Sequence, residues 1–206
     1  MPSVDSAPAV RVRVPAKINL HLSVGAMRED GFHELVTVFQ AIDLTDEVTA
    51  HAAENLAVRM TGEGAATLPS GPENIAWRAA ERLAADVAVP PDVLLEITKA
   101  IPVAGGLAGG SADAAATLLA CATLWRTRSS KAELLDLAAL LGSDVAFPLL
   151  GGTALGTGRG EVLTPVLTTG QFHWVLALAA FGIAAGDAYR ELDRLRAAGS
   201  APEPAG

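Results

Sequence analysis

The chain has 206 residues, with 15 Lys and Arg against 23 Asp and Glu and a formal net charge of −8. Half of the residues are hydrophobic, which is typical of a folded chain, and the acidic balance disfavours nucleic acid as a partner. The single cysteine excludes an internal disulfide, and no apolar run approaches the ~18 residues of a membrane span. We therefore expect a cytoplasmic protein without a signal peptide and without membrane or nucleic-acid partners.

The first hundred residues are predicted to be largely β-structure. Short segments in which apolar and polar residues alternate predict strands at residues 10–14, 20–24, 35–41, 47–50, 56–60 and 93–98. One helix is predicted among them, at about residues 74–87, because its apolar residues recur on one helical face.

The second half is predicted to be mainly helical, with short strands. An Ala- and Leu-rich helix follows a glycine-rich loop, and Ser130 with Glu133 forms a capping box that opens the next helix. That helix is expected to end near Gly142, a residue suited to a left-handed C-terminal position. The remaining elements are helices at 111–124 and 187–198, strands at 151–156 and 173–179, and a turn at 158–160.

The glycine-rich loop carries the clearest chemical indication. It comprises Pro102, Val103, Ala104, Gly105, Gly106, Leu107, Ala108, Gly109, Gly110, Ser111 and Ala112. Glycines let backbone N–H groups approach a ligand, and the start of the following helix adds positive potential, so the segment suits a di- or triphosphate. It matches neither a Walker A loop nor a dinucleotide fingerprint. A tight turn that packs a small-residue helix against a sheet is the alternative.

Two charged residues far apart in the chain are candidates for phosphoryl transfer. Asp144 follows a helix end, and Lys17 lies in a short break between two strands. Taken singly, they are more simply explained as a turn former and a solvated cation. Taken together, a carboxylate that accepts a hydroxyl proton and a fixed cation are the minimum equipment for phosphoryl transfer.

Other polar residues have less specific patterns. Phe32 and His33 could stack on and hydrogen-bond a flat heterocycle, or they could simply begin a strand. Asp113 and Glu161 are possible metal ligands, although a helix dipole equally explains Asp113. The histidines show no metal-ligand spacing, and we predict no dedicated metal site.

Four motifs, taken in order, resemble one family. They are Pro-Ala-Lys-Ile-Asn-Leu at 15–20, Arg-Glu-Asp-Gly-Phe-His-Glu-Leu at 28–35, the glycine-rich stretch at 102–113, and Leu-Gly-Ser-Asp-Val-Ala-Phe at 141–147. This combination resembles the bacterial 4-diphosphocytidyl-2-C-methyl-D-erythritol kinases of non-mevalonate isoprenoid (terpenoid) biosynthesis. They belong to the superfamily of galactokinase, homoserine kinase, mevalonate kinase and phosphomevalonate kinase. The likeness covers residues 10–198.

The resemblance implies an α+β fold, in which mixed β-sheets similar to domain 2 of ribosomal protein S5 pack against helices. Residues 10–170 would form the superfamily's N-terminal kinase domain, and residues 171–199 the start of a C-terminal region. Tails are expected at 1–9 and 200–206. Nothing after residue 170 resembles the superfamily's late Gly-Ser-Gly-Pro segment, so we expect a partial chain with an exposed apolar face.

The resemblance also implies ATP-dependent phosphorylation of the 2-hydroxyl of 4-diphosphocytidyl-2-C-methyl-D-erythritol, with Mg²⁺ as the phosphate partner. Asp144 would orient or deprotonate the hydroxyl, and Lys17 would keep that carboxylate ionised and stabilise the transferring phosphoryl group. The loop at 102–112 would wrap the ATP phosphates. The other matching positions are Asn74 and Lys99 near the adenosine, Asn19 near the methylerythritol end, and Phe32, His33 and Tyr189 at the cytidine pocket.

Two departures from the family pattern bear on the substrate side. Phe32 stands where the family usually has tyrosine, and Ala184, Ala185 and Gly186 stand where it usually has Ser/Thr-Thr-Pro. Three alternatives stay open: a kinase of this superfamily with another acceptor, a catalytically impaired nucleotide-binding remnant, and an RNA-binding or structural module. The charge of −8 argues against the last. We expect a monomer or a homodimer.

Overall fold

The computed structural model describes residues 8–179 and 181–202, which contain six strands and five α-helices. The strands are β1 (Ala9–Met27), β2 (His33–Ala52), β3 (Ala57–Gly62), β4 (Val93–Lys99), β5 (Thr153–Thr157) and β6 (Val162–Pro165). The helices are α1 (Ile75–Asp86), α2 (Gly109–Leu124), α3 (Lys131–Leu141), α4 (Ala146–Leu150) and α5 (Ala185–Ala197), and Ala65–Thr67 form a 3-10 turn. Most residues of the two expected tails lie outside the described residues.

All six strands join in one mixed sheet, which confirms the α+β class. Strand β2 pairs antiparallel with β1 along most of its length, with β4 through residues 47–52 and with β5 through residues 37–40. Strands β3 and β4 are parallel, and α1 provides the crossover that a parallel pair requires.

The first two strands are longer than the sequence pattern predicts. The structure joins the segments 10–14 and 20–24 into β1, and 35–41 and 47–50 into β2. Pro15 does not interrupt β1, because the register shifts between Pro15 and Ala16, and a bulge tolerates a residue without an N–H. Lys17 therefore lies just past a bend in a continuous hairpin.

Helix α2 occupies the centre of the core, between the sheet and α1. Ten of its sixteen residues are buried, and most of the buried ones are alanines. Small side chains let the backbone of α2 approach β1, β2 and α1 closely, so this helix holds the glycine-rich loop against the sheet. Within the described residues, we find no helix with both the length and the apolarity to cross a membrane.

The segment between β6 and α5 differs from the prediction. The strand predicted at 173–179 is wrong, because these residues pair with no strand of the described sheet. Trp174 in this segment is 46% exposed and donates a hydrogen bond to Gln40. The final helix forms as predicted, but α5 has no buried residue.

Candidate active site

Lys17 and Asp144 meet at the centre of the candidate site. Lys17 Nζ lies 3.4 Å from Asp144 Oδ2 and donates a hydrogen bond to Asn19 Oδ1 at 2.9 Å. Lys17 is only 7% exposed, whereas the Asp144 side chain is 36% exposed. The structure therefore places a fixed cation in the wall of the site and a carboxylate that ligands can reach.

A chain of hydrogen bonds orients the amide of Asn19. Its Nδ2 donates to Thr37 Oγ1 at 2.7 Å, and Thr37 Oγ1 donates to the carbonyl oxygen of His21 at 2.8 Å. This leaves Asn19 Oδ1 turned toward Lys17. Sequence reasoning missed Thr37, because its role depends on the register of β1 against β2.

The short turn between α3 and α4 holds Asp144. Gly142 ends α3 in an extended conformation with φ 173°, so the left-handed cap expected there is wrong. The amide of Val145 donates to the Gly142 carbonyl at 3.1 Å, which closes the turn around Ser143 and Asp144. Both side chains line the cleft as a result.

The glycine-rich loop lies beside this pair and ends at an uncapped helix. The Lys17 amide donates to the Leu107 carbonyl at 3.1 Å, which ties the loop to β1. Helices α1 and α3 have side-chain caps from Asn74 and Ser130, but α2 begins without one. Free N–H groups in the first turn of a helix attract anions.

Only one glycine of the loop, Gly106, has a left-handed backbone, whereas Gly109 lets the chain pack closely against Ile101 and Lys99. The left-handed positions are Ala104, Gly106 and Ala108, with φ of 57°, 71° and 59°. At Gly109, a β-carbon would lie 3.1 Å from Ile101 Cγ2 and 3.3 Å from Lys99 Nζ. A larger side chain at Gly109 would therefore press into the protein interior.

Asn74 and Lys99, predicted near the adenosine, both have partners inside the protein. Asn74 Oδ1 accepts a hydrogen bond from the Ala76 amide at 2.8 Å, and its Nδ2 donates to the Pro69 carbonyl at 2.7 Å. The Lys99 ammonium is ion-paired with Asp46 and Asp113, and Lys99 is only 4% exposed. The structure thus does not present the Lys99 ammonium to solvent.

An aromatic cavity of about 490 Å³ lies next to Asp144. His33 stacks on Tyr189, with 5.0 Å between ring centroids, and His33 Nε2 lies 2.9 Å from Asp193 Oδ1. The guanidinium of Arg159 lies 4.7 Å from the centre of the Phe32 ring. The structure thus brings Phe32, His33 and Tyr189 together, and it adds Arg159 and Asp193, which no local pattern had indicated.

The Tyr189 hydroxyl has a raised pKa. Partial burial, and secondarily the negative charge of Asp144, raise its pKa above the ordinary value. The hydroxyl therefore stays protonated at neutral pH and can donate a hydrogen bond.

A second cavity, of about 260 Å³, continues the first toward β1. Lys17 and Asn19 line the second cavity, and Leu35, Asp144 and Tyr189 line both. The charged pair and the aromatic residues therefore form the walls of one cleft. A cleft of several hundred Å³ has the size of a small-molecule site.

The two acids considered as metal ligands already have cationic partners. Asp113 accepts a hydrogen bond from Lys99 at 2.6 Å, and Glu161 accepts hydrogen bonds from the amide and the side chain of Arg159. Across residues 8–179 and 181–202, no three His, Cys, Asp or Glu side chains form a metal-binding group.

Proteins with similar sequences are kinases. The family model described as GHMP kinases N terminal domain matches residues 74–152. The chain is 58% identical over 190 residues to the 4-diphosphocytidyl-2-C-methyl-D-erythritol kinase of Saccharopolyspora erythraea, covering 91% of this chain and 60% of that protein. It is 56% identical over 206 residues to the kinase of the same name from Rhodococcus jostii, covering 100% of this chain and 66% of that protein. The chain thus spans 60–66% of the length of these curated relatives.

Solved structures show the same fold. A crystal structure of 4-(cytidine 5'-diphospho)-2C-methyl-D-erythritol kinase is 39% identical and superimposes with a TM-score of 0.62, covering 76% of this chain and 55% of that chain. A mevalonate diphosphate decarboxylase from Legionella pneumophila, 15% identical, has a TM-score of 0.66 over 94% of this chain and 66% of its own, a likeness of fold alone. At 56–58% identity this chain is a homologue of the 4-diphosphocytidyl-2-C-methyl-D-erythritol kinases, and its residues 74–152 match the N-terminal domain of the GHMP kinases.

Proposed function

We propose that this protein transfers the γ-phosphoryl group of ATP to the 2-hydroxyl of 4-diphosphocytidyl-2-C-methyl-D-erythritol. The observation that carries the proposal is the placement of the Lys17–Asp144 pair, 3.4 Å apart, in a cleft beside the uncapped start of α2. The start of α2 suits an anion, and Asp144 suits a hydroxyl that must lose a proton.

Asp144 is the group that meets the acceptor. Its half-exposed carboxylate accepts the proton of the hydroxyl as the hydroxyl oxygen attacks phosphorus. Lys17 compensates negative charge beside the reacting atoms, and its buried side chain and its bond to Asn19 keep the ammonium in place. Negative charge spreads over the phosphoryl oxygens in the transition state, so removing either charged side chain should destabilise that state and slow the reaction.

The start of α2 is the proposed phosphate site. Its free N–H groups and the exposed backbone of Gly105, Gly106 and Gly110 face the tail of the nucleotide. Mg²⁺ enters as part of the metal-bound nucleotide and neutralises phosphate charge. The backbone bond from Lys17 to Leu107 fixes this loop relative to the charged pair.

The aromatic cavity is the proposed cytidine site. Phe32 offers a ring face, and His33 and Tyr189 offer a stacked pair with polar edges. The family's usual tyrosine is a phenylalanine here, so stacking remains while one hydroxyl is lost. The base therefore binds mainly through ring contact and the polar edge of His33.

Changing Tyr189 tests the cytidine site. Tyr189→Ala should weaken CDP binding about 10-fold or more, because stacking on one aromatic ring contributes about 1–3 kcal/mol per base. Tyr189→Phe keeps the ring and should bind CDP within about 3-fold of the unchanged protein, since a lost hydrogen bond costs roughly 0.5–1.5 kcal/mol at most. Titration calorimetry with CDP measures both affinities, and equal losses in the two variants would argue against stacking.

The function itself is tested by mixing the protein with Mg-ATP and the cytidylyl substrate and following new phosphate monoester signals by phosphorus NMR. We expect one new monoester and an equal amount of ADP. Parallel reactions with homoserine and mevalonate should give none. Phosphorylation of either of those acceptors, or no binding of ATP at all, would contradict the proposal.

A further inference from the structure

Behind the glycine-rich loop, three charged side chains form a cluster that the proposed reaction does not use. Lys99, at the end of β4, donates to Asp46 Oδ2 on β2 and to Asp113 Oδ2 on α2, the latter at 2.6 Å. Asp46 is fully buried, and Asp113 and Lys99 are each only 4% exposed. An enclosed cluster of this kind fixes the elements that carry it, because separating its members would leave a buried charge without a partner.

The cluster holds both ends of the loop. At the entrance, Asp46 Oδ1 accepts hydrogen bonds from the amides of Ala100 and Ile101, at 2.6 and 2.8 Å. At the exit, Asp113 lies in the helix that begins at Gly109. A β-carbon at Gly109 would lie 3.3 Å from Lys99 Nζ, so the ammonium lies directly behind the start of α2.

The charges in this cluster do not balance. With both carboxylates ionised, one cation faces two anions, and Asp113 Oδ1 is buried without a hydrogen-bond partner among the described residues. Burial raises the pKa of Asp113 to about 7, although Lys99 opposes the shift. Because this value is higher than the ordinary one, Asp113 keeps its proton below about pH 7 and loses it as the pH rises.

Among the described elements packed against α2, the other charged residues are exposed or ion-paired; on β2, for example, Glu47 is paired with Arg11. The charged residues of α1 and α3 are exposed, α4 carries none, and Lys17 of β1 is paired with Asp144. The only other titratable group on α2 is Cys121, and burial raises its pKa to about 12, so it stays neutral. The local balance therefore depends on Asp46, Lys99 and Asp113.

We propose that Asp46, Lys99 and Asp113 are positioning residues of the phosphate-binding loop, and that Asp113 takes up a proton when nucleotide phosphates bind at the start of α2. The inference rests on the proposed function, since it needs a phosphate at that helix terminus. An arriving anion adds to the repulsion on the Asp113 carboxylate, so the protonated form is favoured in the complex. The proton comes from solvent, and no bond forms to the ligand.

The experiment compares ATP binding at about pH 6 and about pH 8.5 in the unchanged protein and in Asp113→Asn, which mimics the neutral acid. The affinity of the unchanged protein should fall about 10-fold relative to that of the variant over this range, because one unit of pKa shift corresponds to a factor of ten. The ATP phosphates titrate in the same way with both proteins, so their effect cancels in the ratio of the two affinities. Asp136→Asn, at an exposed position on α3, makes the same charge change and should follow the unchanged protein.

A second measurement counts the protons directly. Calorimetry at about pH 7.5 in buffers of different ionisation enthalpy counts the protons exchanged on ATP binding, and we expect net uptake that Asp113→Asn reduces. Binding of ATP with no net uptake, or with parallel pH profiles for the two proteins, would overturn the inference and leave the proposed function standing. If none of the proteins binds ATP, the proposed function and the inference fall together.

Discussion

Replacing Asp144 with asparagine should lower turnover by roughly 10²-fold or more and leave the affinity for ATP nearly unchanged, as expected for loss of a positioned base. The amide keeps the size of the side chain but cannot accept the proton of the acceptor hydroxyl. ATP affinity should persist because the proposed phosphate contacts come from the loop and the start of α2. The fold should also persist, since Asp144 is partly exposed and the Lys17 ammonium keeps its hydrogen bond to Asn19.

Turnover is measured as ADP release in a coupled assay with the cytidylyl substrate, and ATP affinity by titration calorimetry. Asp136→Asn is the matched control, because it removes one exposed carboxylate outside the cleft. Unchanged turnover in Asp144→Asn would place the base elsewhere. A parallel loss of ATP affinity would instead give Asp144 a role in nucleotide binding.

Replacing Asp46 with alanine should destabilise the fold by about 3–5 kcal/mol, the range found when one partner of a buried ion pair is removed. The substitution removes one partner of Lys99 and leaves the amides of Ala100 and Ile101 without their acceptor. Each unsatisfied buried group costs about 1–3 kcal/mol.

Urea unfolding followed by circular dichroism measures the effect of Asp46→Ala. Asp43→Ala is the control on the same strand, since Asp43 is exposed and its removal should change stability by no more than about 0.5 kcal/mol. A loss below about 1 kcal/mol in Asp46→Ala would show that the cluster does not stabilise the loop. The loss of stability in Asp46→Asn should be smaller than in Asp46→Ala and larger than in Asp43→Ala, because the amide oxygen can still accept a backbone hydrogen bond.

Periodicity predicted most elements of this fold from the sequence. The helices at 74–87, 111–124 and 187–198 appear within a few residues of their predicted bounds, because apolar spacing and capping residues are local signals. The capping box of Ser130 and Glu133 forms as expected. The strand predicted at 173–179 did not form, because an apolar segment forms a strand only where a neighbouring strand supplies hydrogen bonds.

The candidate site was predictable only in part. The proximity of Lys17 and Asp144 followed from the family resemblance, since neither residue has a distinctive local pattern. Asp46 could not be found, because its partners come from residues more than fifty positions later in the chain. The same holds for Thr37 and Asp193, whose contacts depend on strand register and on the docking of α5.

The long hairpin of β1 and β2 connects the two ends of the cleft. Lys17 lies in its middle, and Phe32 lies in the turn that joins the two strands. Each residue of a strand adds about 3.3 Å, so two residues deleted from both strands would move the turn roughly 7 Å along the hairpin. Under the proposed function, we therefore expect the length of the hairpin to set which acceptors fit, through the distance between their reactive hydroxyl and their ring.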